Sequence, residues 1–228
     1  MTASPPLTDN QCQFVDFMIE SQALLFGDFK LKSGRQAPYF INTGKFNDAK
    51  KIQALGQFYA RHIEHTLKSD FDLVFGPAYK GIPLAVSVAQ ALWVLFGKNK
   101  GFSFDRKEEK DHGDGGKIVG YPIKPGARVL LVEDVITAGT TLRQTVPYLV
   151  GELGAKLTGV VIAVDRCERG TGALSALDEA RTTLNIDIFP IVNVHQIVSY
   201  LSTNNTSGFV LDDDLHGRIS NYLEHYGV

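Results

Sequence analysis

Short and almost wholly apolar stretches alternate along the chain with longer stretches in which apolar residues recur every three or four positions. The first pattern predicts strands that are buried on both faces, and it occurs at residues 73–75, 129–132, 160–164 and 188–194. The second pattern predicts helices between these strands, over residues 82–96, 140–153 and 174–184. Such an alternation predicts an α/β fold with a parallel sheet covered by helices on both faces.

The first third of the chain departs from this alternation. Thr8, with Gln11 three positions later, forms a capping box that predicts the start of a helix, and residues 48–67 have a helical composition. Residues 29–42 mix glycine and proline with β-forming residues, which predicts short strands or an extended hairpin. Near the other end of the chain, residues 199–209 are predicted to be a polar surface loop before a last short helix.

The composition is that of an ordinary globular protein. The 228 residues fit one generous domain, and 44% hydrophobic with 21% charged residues exclude a disordered chain. The net charge of −2 means that the chain lacks the overall positive charge that would attract a nucleic-acid backbone. We expect no membrane segment and no secretion signal, because the apolar runs are far shorter than the roughly 20 residues of a membrane helix. Two distant cysteines exclude a disulfide framework and indicate a cytoplasmic location.

The segment of residues 129–142 carries the most specific chemical signal. A buried strand ends in two acids, Glu133 and Asp134, and a short loop of small residues then opens a helix. The backbone N–H groups of residues 137–141 at this helix start form a cradle for an anion, and threonine hydroxyls add donors. Gly139 lets the backbone approach a phosphate closely, while the paired acids can accept hydrogen bonds from vicinal hydroxyls such as those of a ribose.

One structural alternative to a phosphate and ribose site stays open, and two known nucleotide-binding motifs are excluded. An acidic turn at a strand end, followed by a threonine cap, is common in proteins and remains the structural alternative. A P-loop is excluded because the chain has no G-x-x-x-x-G-K-[ST] string. Gly170 and Gly172 do not form a dinucleotide-binding fingerprint, since Ser175 stands where the third glycine belongs.

The segment resembles the loop that binds 5-phosphoribosyl 1-pyrophosphate (PRPP) in type I phosphoribosyltransferases. The resemblance implies that the two acids hold the 2′- and 3′-hydroxyls of the ribose while the loop grips the 5′-phosphate. The usual acid pair in the family is two aspartates or Glu-Asp, so a glutamate at the first position is a tolerated variant. The residues implied in PRPP binding by this segment are Glu133, Asp134, Val135, Ile136, Thr137, Ala138, Gly139, Thr140 and Thr141.

Three further segments are similar to the members of this family that use orotate. They are residues 26–42, which include the string Lys-Ser-Gly-Arg, residues 75–83, and the glycine-rich residues 104–116. Purine enzymes of the same fold lack the first and third strings, and the resemblance extends from about residue 12 to the C-terminus. It implies a single domain over residues 1–228, with a small N-terminal hood over about residues 1–45. The core over about residues 46–228 would hold a central, mostly parallel sheet flanked by helices and a mobile lid loop.

Residues 106–120 form the expected lid. Their charges nearly cancel, and taken alone they could equally form a solvated hairpin. In a lid, the glycines act as hinges while the cations reach a pyrophosphate and close the site against water. By the resemblance, the lid residues that contact the pyrophosphate and act in catalysis are Arg106, Lys107, Lys110 and His112. In the family this loop closes over the site of the neighbouring subunit, which implies an obligate homodimer with shared active sites.

The resemblance gives PRPP contacts to three residues outside the lid. Lys32 would be a catalytic residue that contacts PRPP where it reacts with the base. Taken by itself, it could be an ordinary exposed cation. Tyr79 and Lys80 follow a strand and a Gly-Pro turn, where a loop that binds pyrophosphate is expected.

Orotate is implied to contact Phe40, Ile41, Thr137 and Arg166. The first two would lie against the flat ring, with backbone groups at its polar edge; the family often has two aromatic residues here, so Ile41 is a departure. Arg166 would pair with the orotate carboxylate, because a planar guanidinium matches a carboxylate in a bidentate way. The structural alternative is an ion pair between Asp165 and Arg166.

The implied reaction joins orotate to PRPP and gives orotidine 5′-monophosphate and pyrophosphate, in the de novo synthesis of UMP. Catalysis would be chiefly electrostatic, since C1 of the ribose loses pyrophosphate with oxocarbenium-like character. Mg²⁺ would bind mainly through substrate oxygens and water, so no metal ligands are assigned to the protein and no essential base is named. Two rivals stay open: a family member that uses uracil or a purine, and a regulator of the same fold that binds nucleic acid. Arg166 argues against the first, and the near-neutral charge argues against the second.

Overall fold

The computed structural model describes residues 6–31, 34–68, 70–107, 117–136, 139–170, 172–203 and 206–228. In these ranges the strands are β1 (Leu24–Lys30), β2 (Gln36–Ile41), β3 (Leu73–Phe75), β4 (Gly101–Asp105), β5 (Ile118–Gly120), β6 (Arg128–Val135), β7 (Lys156–Asp165) and β8 (Ile188–Asn193). The α-helices are α1 (Asp9–Glu20), α2 (Ala49–Leu67), α3 (Gly81–Phe96), α4 (Thr140–Pro147), α5 (Ala176–Leu184), α6 (Val194–Leu201) and α7 (Asp213–Tyr226).

Six strands form the central sheet in the order β5-β4-β3-β6-β7-β8, and every neighbouring pair is parallel except β4 with β5. This confirms the predicted α/β fold with a mostly parallel sheet. The apolar run of β6 explains its central place, because alternate residues pack into two separate cores. Leu130 and Val132 belong to the core on one face, while Val129 and Leu131 belong to the core on the other.

The N-terminal region packs against this body through α1 and a two-stranded sheet. The predicted capping box of Thr8 and Gln11 is present at the start of α1. The hairpin predicted for residues 29–42 is formed by β1 and β2, which pair antiparallel, but it begins earlier, at Leu24. The Phe14 ring lies 5.3 Å from that of Phe58 on α2. A side-chain carbon at Gly56 of α2 would lie 2.5 Å from the backbone oxygen of Ser87 on α3, so these helices approach at a distance that only glycine permits.

Three local predictions were wrong. Residues 199–201 belong to α6, which begins with a capping box of Asn193 and Gln196 and buries Val194, Ile197 and Leu201. The predicted helix over 140–153 ends as α4 at Pro147 and continues as a π-helical turn, Tyr148–Glu152, consistent with the proline inside it. Residues 118–120, placed in the lid, form β5 and join the sheet edge beside β4. No helix in the described ranges is long and apolar enough to cross a membrane.

Candidate active site

The candidate site lies at the edge of the sheet where the parallel strands end. Val135 of β6 pairs with Val164 of β7, so Asp134 on one strand and Asp165 on the other come to the same edge. Phe75, the last residue of β3, pairs with Leu131 of β6, and the loop after β3 therefore opens toward the same edge. Parallel sheets place ligands at this edge because strand ends and helix starts meet there.

Asp134 is held by two donors from different parts of the chain. Lys80 Nζ donates to Asp134 Oδ2 at 3.0 Å, and the Thr43 hydroxyl donates to the same oxygen at 2.5 Å. Burial alone would raise the pKa of this carboxyl, but the Thr43 hydrogen bond and the Lys80 charge outweigh it and lower the pKa. Asp134 is therefore an ionised acceptor that links the turn after β2, the β3–α3 loop and β6.

Glu133 has the opposite environment. Its backbone oxygen accepts a hydrogen bond from the Tyr59 hydroxyl at 2.8 Å, but its carboxyl oxygen Oε2 is buried without a partner among the described residues. Burial, with the adjacent charge of Asp134, raises the pKa of Glu133 to about 8. The acid pair thus consists of one charged and one largely neutral carboxyl at neutral pH.

A small cavity lies beside Glu133 at the start of α4. It has a volume of about 80 Å³ and is lined by Glu133, Val135, Ile136, Gly139, Thr140, Thr141 and Leu142. Gly139 caps the helix with φ of +66°, a left-handed conformation that favours glycine. At roughly 30 Å³ per water molecule, the space suits one tetrahedral oxyanion. Thr137 and Ala138, two of the expected PRPP contacts, lie outside the described residues.

The second cavity is larger and carries the cations expected from the lid. It measures about 350 Å³ and is lined by Phe75, Pro77, Ala78, Asp105, Arg106, Lys107, Lys117, Thr141, Gln144, Thr145 and Tyr148. The Arg106 backbone N–H donates to the Lys117 backbone oxygen at 2.8 Å, so β4 and β5 stay paired up to the base of the lid. The expected lid residues Lys110 and His112 lie outside the described residues.

The loop between β3 and α3 forms one wall of this larger cavity. A side-chain carbon at Gly76 would lie 1.9 Å from the Gly81 backbone oxygen, which explains a glycine at that end of the loop. The Ala78–Tyr79 peptide bond is cis, and the Ala78 backbone N–H donates to Asp105 Oδ1 at 2.7 Å. The Tyr79 ring is exposed, with Lys107 Nζ 4.8 Å from its centroid. Tyr79 and Lys107 are therefore neighbours, as a shared pyrophosphate site requires.

Arg166 contacts protein groups in this structure rather than open solvent. Its Nε and Nη2 donate to Glu168 Oε1 at 3.0 and 2.5 Å, and its guanidinium lies 4.7 Å from the centroid of the Tyr39 ring. The alternative of an Asp165–Arg166 ion pair does not occur, since Asp165 instead accepts from the Cys167 backbone N–H.

Phe40 and Ile41 do not face the same way. Successive residues of a strand point to opposite faces, so Ile41 is buried in the core on the side of Tyr39 while Phe40 points away from both. The Phe40 ring stacks on Phe29 with centroids 5.5 Å apart. The pleat of β2 therefore turns the two side chains to opposite faces, and their contacts with the orotate ring stay a prediction. Lys32, expected in the adjacent turn, lies outside the described residues.

Sequence reasoning missed several residues that the structure brings into the site. Thr43 follows β2 after one intervening residue, and its neighbours at residues 40–42 were the available signal. Glu168 lies two positions beyond Arg166, a spacing that could have suggested an ion pair. Tyr39 and Tyr59 gave no signal, because nothing in their local sequence separates a buried tyrosine from one that supports a ligand site.

Comparisons with known proteins identify the family. The family model described as "Phosphoribosyl transferase domain" matches residues 42–200. The chain therefore belongs to the phosphoribosyltransferase family, as predicted.

Its curated relatives place it within that family. An orotate phosphoribosyltransferase of Clostridium acetobutylicum is 45% identical, with 95% of this chain and 97% of the relative covered. One from Bifidobacterium longum is 48% identical over the same shares. The crystal structure of orotate phosphoribosyltransferase from Francisella tularensis superposes with a TM-score of 0.81 at 35% identity, covering 95% of this chain and all of the other. The chain is a member of the orotate phosphoribosyltransferases.

Proposed function

We propose that this protein transfers the 5-phosphoribosyl group from PRPP to orotate, which yields orotidine 5′-monophosphate and pyrophosphate for UMP synthesis. The observation that carries the proposal is a pair of cavities that share Thr141, the smaller of which is also lined by Glu133 at the end of β6. A small cavity at the start of α4 suits the 5′-phosphate, and the larger cavity with three cations suits the pyrophosphate. Thr141 lines both, so the two anions would flank one ribose.

The ribose would lie against the acid pair. The ionised Asp134 is an acceptor for one hydroxyl, and the unpartnered Oε2 of Glu133 is free for another. A buried polar atom without a partner costs free energy, and a ligand hydroxyl would remove that cost. The difference in protonation lets Glu133 also donate, which a second charged carboxylate could not do.

The leaving pyrophosphate would be stabilised by the cations of the larger cavity and the lid. As the bond from C1 breaks, negative charge grows on pyrophosphate, and positive groups fixed around it act in the transition state. Arg106 and Lys107 line the cavity, and Lys110 and His112 are assigned to the same role with Lys32. Lys80 is held by Asp134 in this structure, so it would reach the pyrophosphate by moving between the two anions.

Mg²⁺ fits this site as a partner of the substrate rather than of the protein. No group of three or more His, Cys, Asp or Glu side chains in the described ranges could hold a metal ion. Mg²⁺ commonly binds through one or two carboxylates together with phosphate oxygens and water. Glu133 and Asp134, which are proposed to hold the ribose, would be the carboxylates placed to assist, and the ion would supply positive charge to the pyrophosphate.

The base would lie between the hood and the end of β7. Arg166 would meet the orotate carboxylate, with Thr137 beside it and the β2 backbone at Phe40 and Ile41 reading the polar edge of the ring. The opposite orientations of these two side chains leave only one of them able to pack on the ring itself. A uracil has no carboxylate for Arg166, which is why orotate is the proposed base.

Homodimers with shared sites are part of the same proposal. Large apolar side chains at the end of α3 and at the adjacent sheet edge are exposed, and an exposed apolar patch is typical of a surface that binds another protein subunit. They are Trp93, Val94, Leu95, Phe96, Phe102 and Tyr121. A single domain with a hood over about residues 1–45, and a cytoplasmic location, complete the proposal.

The test is a reaction of purified protein with orotate, PRPP and Mg²⁺, followed by the loss of orotate absorbance, with uracil and hypoxanthine in parallel. Orotate consumption that requires both PRPP and Mg²⁺ is the expected result. Asp134→Asn is a matched variant that should lose turnover, because the ribose acceptor becomes neutral. Turnover of another base but not of orotate would contradict the choice of base. PRPP binding without turnover of any base would favour a regulator of the same fold.

Shared active sites can be tested by mixing two variants that each have low activity when orotate is below saturation. Lys110→Ala removes a lid cation, and Arg166→Ala removes the base contact. If the lid closes over the neighbouring subunit, each heterodimer has one intact site, so a fully exchanged mixture should regain about a quarter of wild-type activity. No recovery, in a mixture shown by mass to contain heterodimers, would mean that each subunit completes its own site.

A further inference from the structure

A buried carboxylate behind Arg166 has no part in the mechanism described above. Glu168 Oε1 accepts from Arg166 Nε at 3.0 Å and from Nη2 at 2.5 Å, and the two side chains are only 11% and 10% exposed. Nε and Nη2 form one edge of the planar guanidinium. The other edge, made by Nη1 and the second N–H of Nη2, is not used by Glu168. The contact therefore fixes which edge of Arg166 is available for a ligand.

Two tyrosine hydroxyls strengthen this arrangement. Tyr39 of β2 and Tyr222 of α7 each donate to Glu168 Oε1 at 2.9 Å. The Tyr39 ring also lies against one face of the Arg166 guanidinium at 4.7 Å. The arginine is thus restrained along one edge and on one face, which limits the rotations that its long side chain could otherwise make.

The backbone at Glu168 is itself tied to the C-terminal residues. The Arg169 N–H donates to the Tyr226 backbone oxygen at 2.7 Å, and the Val228 N–H donates to the Cys167 backbone oxygen at 3.1 Å. Arg35 reaches Glu168 Oε2 at 3.4 Å and lies over the Tyr226 ring at 5.0 Å. The end of the chain therefore forms the wall behind Arg166.

We infer that Glu168 is a positioning residue for orotate recognition, which orients Arg166 and is itself held by Tyr39 and by Tyr222 of α7. The inference rests on the proposed pairing of Arg166 with the orotate carboxylate. Bidentate recognition needs the guanidinium fork in one plane and at one angle, and the Glu168 contact supplies that restraint before orotate arrives. The specificity for orotate then depends on α7, although none of its residues is assigned a substrate contact.

Glu168→Gln tests the inference because it keeps the shape and an acceptor oxygen while removing the charge. Hydrogen bonds to a charged acceptor are roughly twice as strong as neutral ones, so the restraint on Arg166 weakens. The expected result is an increase of roughly threefold to tenfold in the KM for orotate, with the KM for PRPP and kcat nearly unchanged. Tyr222→Phe, which removes one donor to the same oxygen, should act in the same direction but less. Asp178→Asn breaks the exposed Arg181–Asp178 pair and serves as the matched control with no change in either KM.

A double-mutant cycle with Arg166→Ala separates positioning from a structural role. If Glu168 acts through Arg166, adding E168Q to R166A leaves the KM for orotate unchanged. An equal increase in both backgrounds, or an increase in the KM for both substrates, would overturn the inference. An R166A variant that affects orotate and PRPP equally would instead overturn the proposed carboxylate contact, and the inference with it. If E168Q does not fold, the same cycle is run with Tyr222→Phe, and its effect on the KM for orotate with and without R166A tests the inference.

Discussion

Glu133→Gln keeps the shape of the Glu133 side chain but removes its titratable group, so it tests how the protonation of Glu133 affects the stability of the fold. In the folded protein, burial and the adjacent charge of Asp134 raise the pKa of Glu133 from 4.5 to about 8. The folded state thus keeps a proton over a pH range in which the unfolded chain has released it. The stability from this group is fully present below pH 4.5 and is lost as the pH rises to about 8. A glutamine at position 133 stays neutral at every pH, so the variant does not lose this stability as the pH rises.

The size of the effect follows from the pH window. Each pH unit within it changes the free energy of unfolding by up to 1.36 kcal/mol for one proton. From pH 5.5 to pH 7.5, the stability of E133Q relative to the wild type should therefore rise by up to about 3 kcal/mol. His62, with a pKa lowered to about 4 by burial, also titrates differently in the two states. It is present in both proteins and cancels in the difference.

The assay is denaturant unfolding followed by far-UV circular dichroism, at several pH values with constant ionic strength and protein concentration. Glu224→Gln, on the exposed side of α7, is the matched control and should follow the wild type at every pH. The reasoning is refuted if the stability of E133Q runs parallel to that of the wild type, because Glu133 would then titrate alike in both states.

The remaining predictions concern the loop, the lid and the buried histidine. Gly139→Ala should lower stability by about 1 kcal/mol, because φ is +66° there, and should raise the KM for PRPP; an unchanged KM would remove this backbone from the phosphate site. Lys110→Ala should lower kcat by the equivalent of about 2 kcal/mol or more, and unchanged steady-state kinetics would exclude it from the lid chemistry. Relative to the wild type, His62→Leu should gain about 3 kcal/mol of stability as the pH falls from 6.5 to 4, because only the unfolded wild-type chain takes up a proton on His62 there, while the opposite contribution of Glu133 is the same in both proteins. Acid unfolding curves of equal steepness in both proteins would contradict this.

The sequence best predicted the strands and helices in which the apolar pattern extends over the most residues. The four apolar strands and helices α3 and α5 were found because a run buried on both faces, or a face repeated over several turns, leaves a strong signal. Helix α6 was missed because eight residues hold two turns, too few to separate a helix from a strand end followed by a polar loop. β5 was missed for a similar reason, since its three residues gain their structure from pairing with β4.

The candidate site divides in the same way. The string from Glu133 to Thr141 is local, so its residue types alone indicate a phosphate cradle next to ribose acceptors. The contacts made by Thr43 and Lys80 with Asp134 join residues 91 and 54 positions apart, and no local pattern reports such a meeting. The orientation of Phe40 against Ile41 depends on the strand pleat, which the sequence suggested only as a region of short strands.

What the sequence determined by itself is the fold class, and it also predicted a phosphate loop and a set of charges that would suit a pyrophosphate. The tertiary structure alone decided how those charges are used: that Glu133 is mostly neutral beside an ionised Asp134, and that Arg166 is already paired with Glu168 under two tyrosines. The physical reason is that burial and distant partners set the protonation and orientation of a side chain. Both depend on which residues folding brings within a few ångströms, rather than on the identity of the side chain.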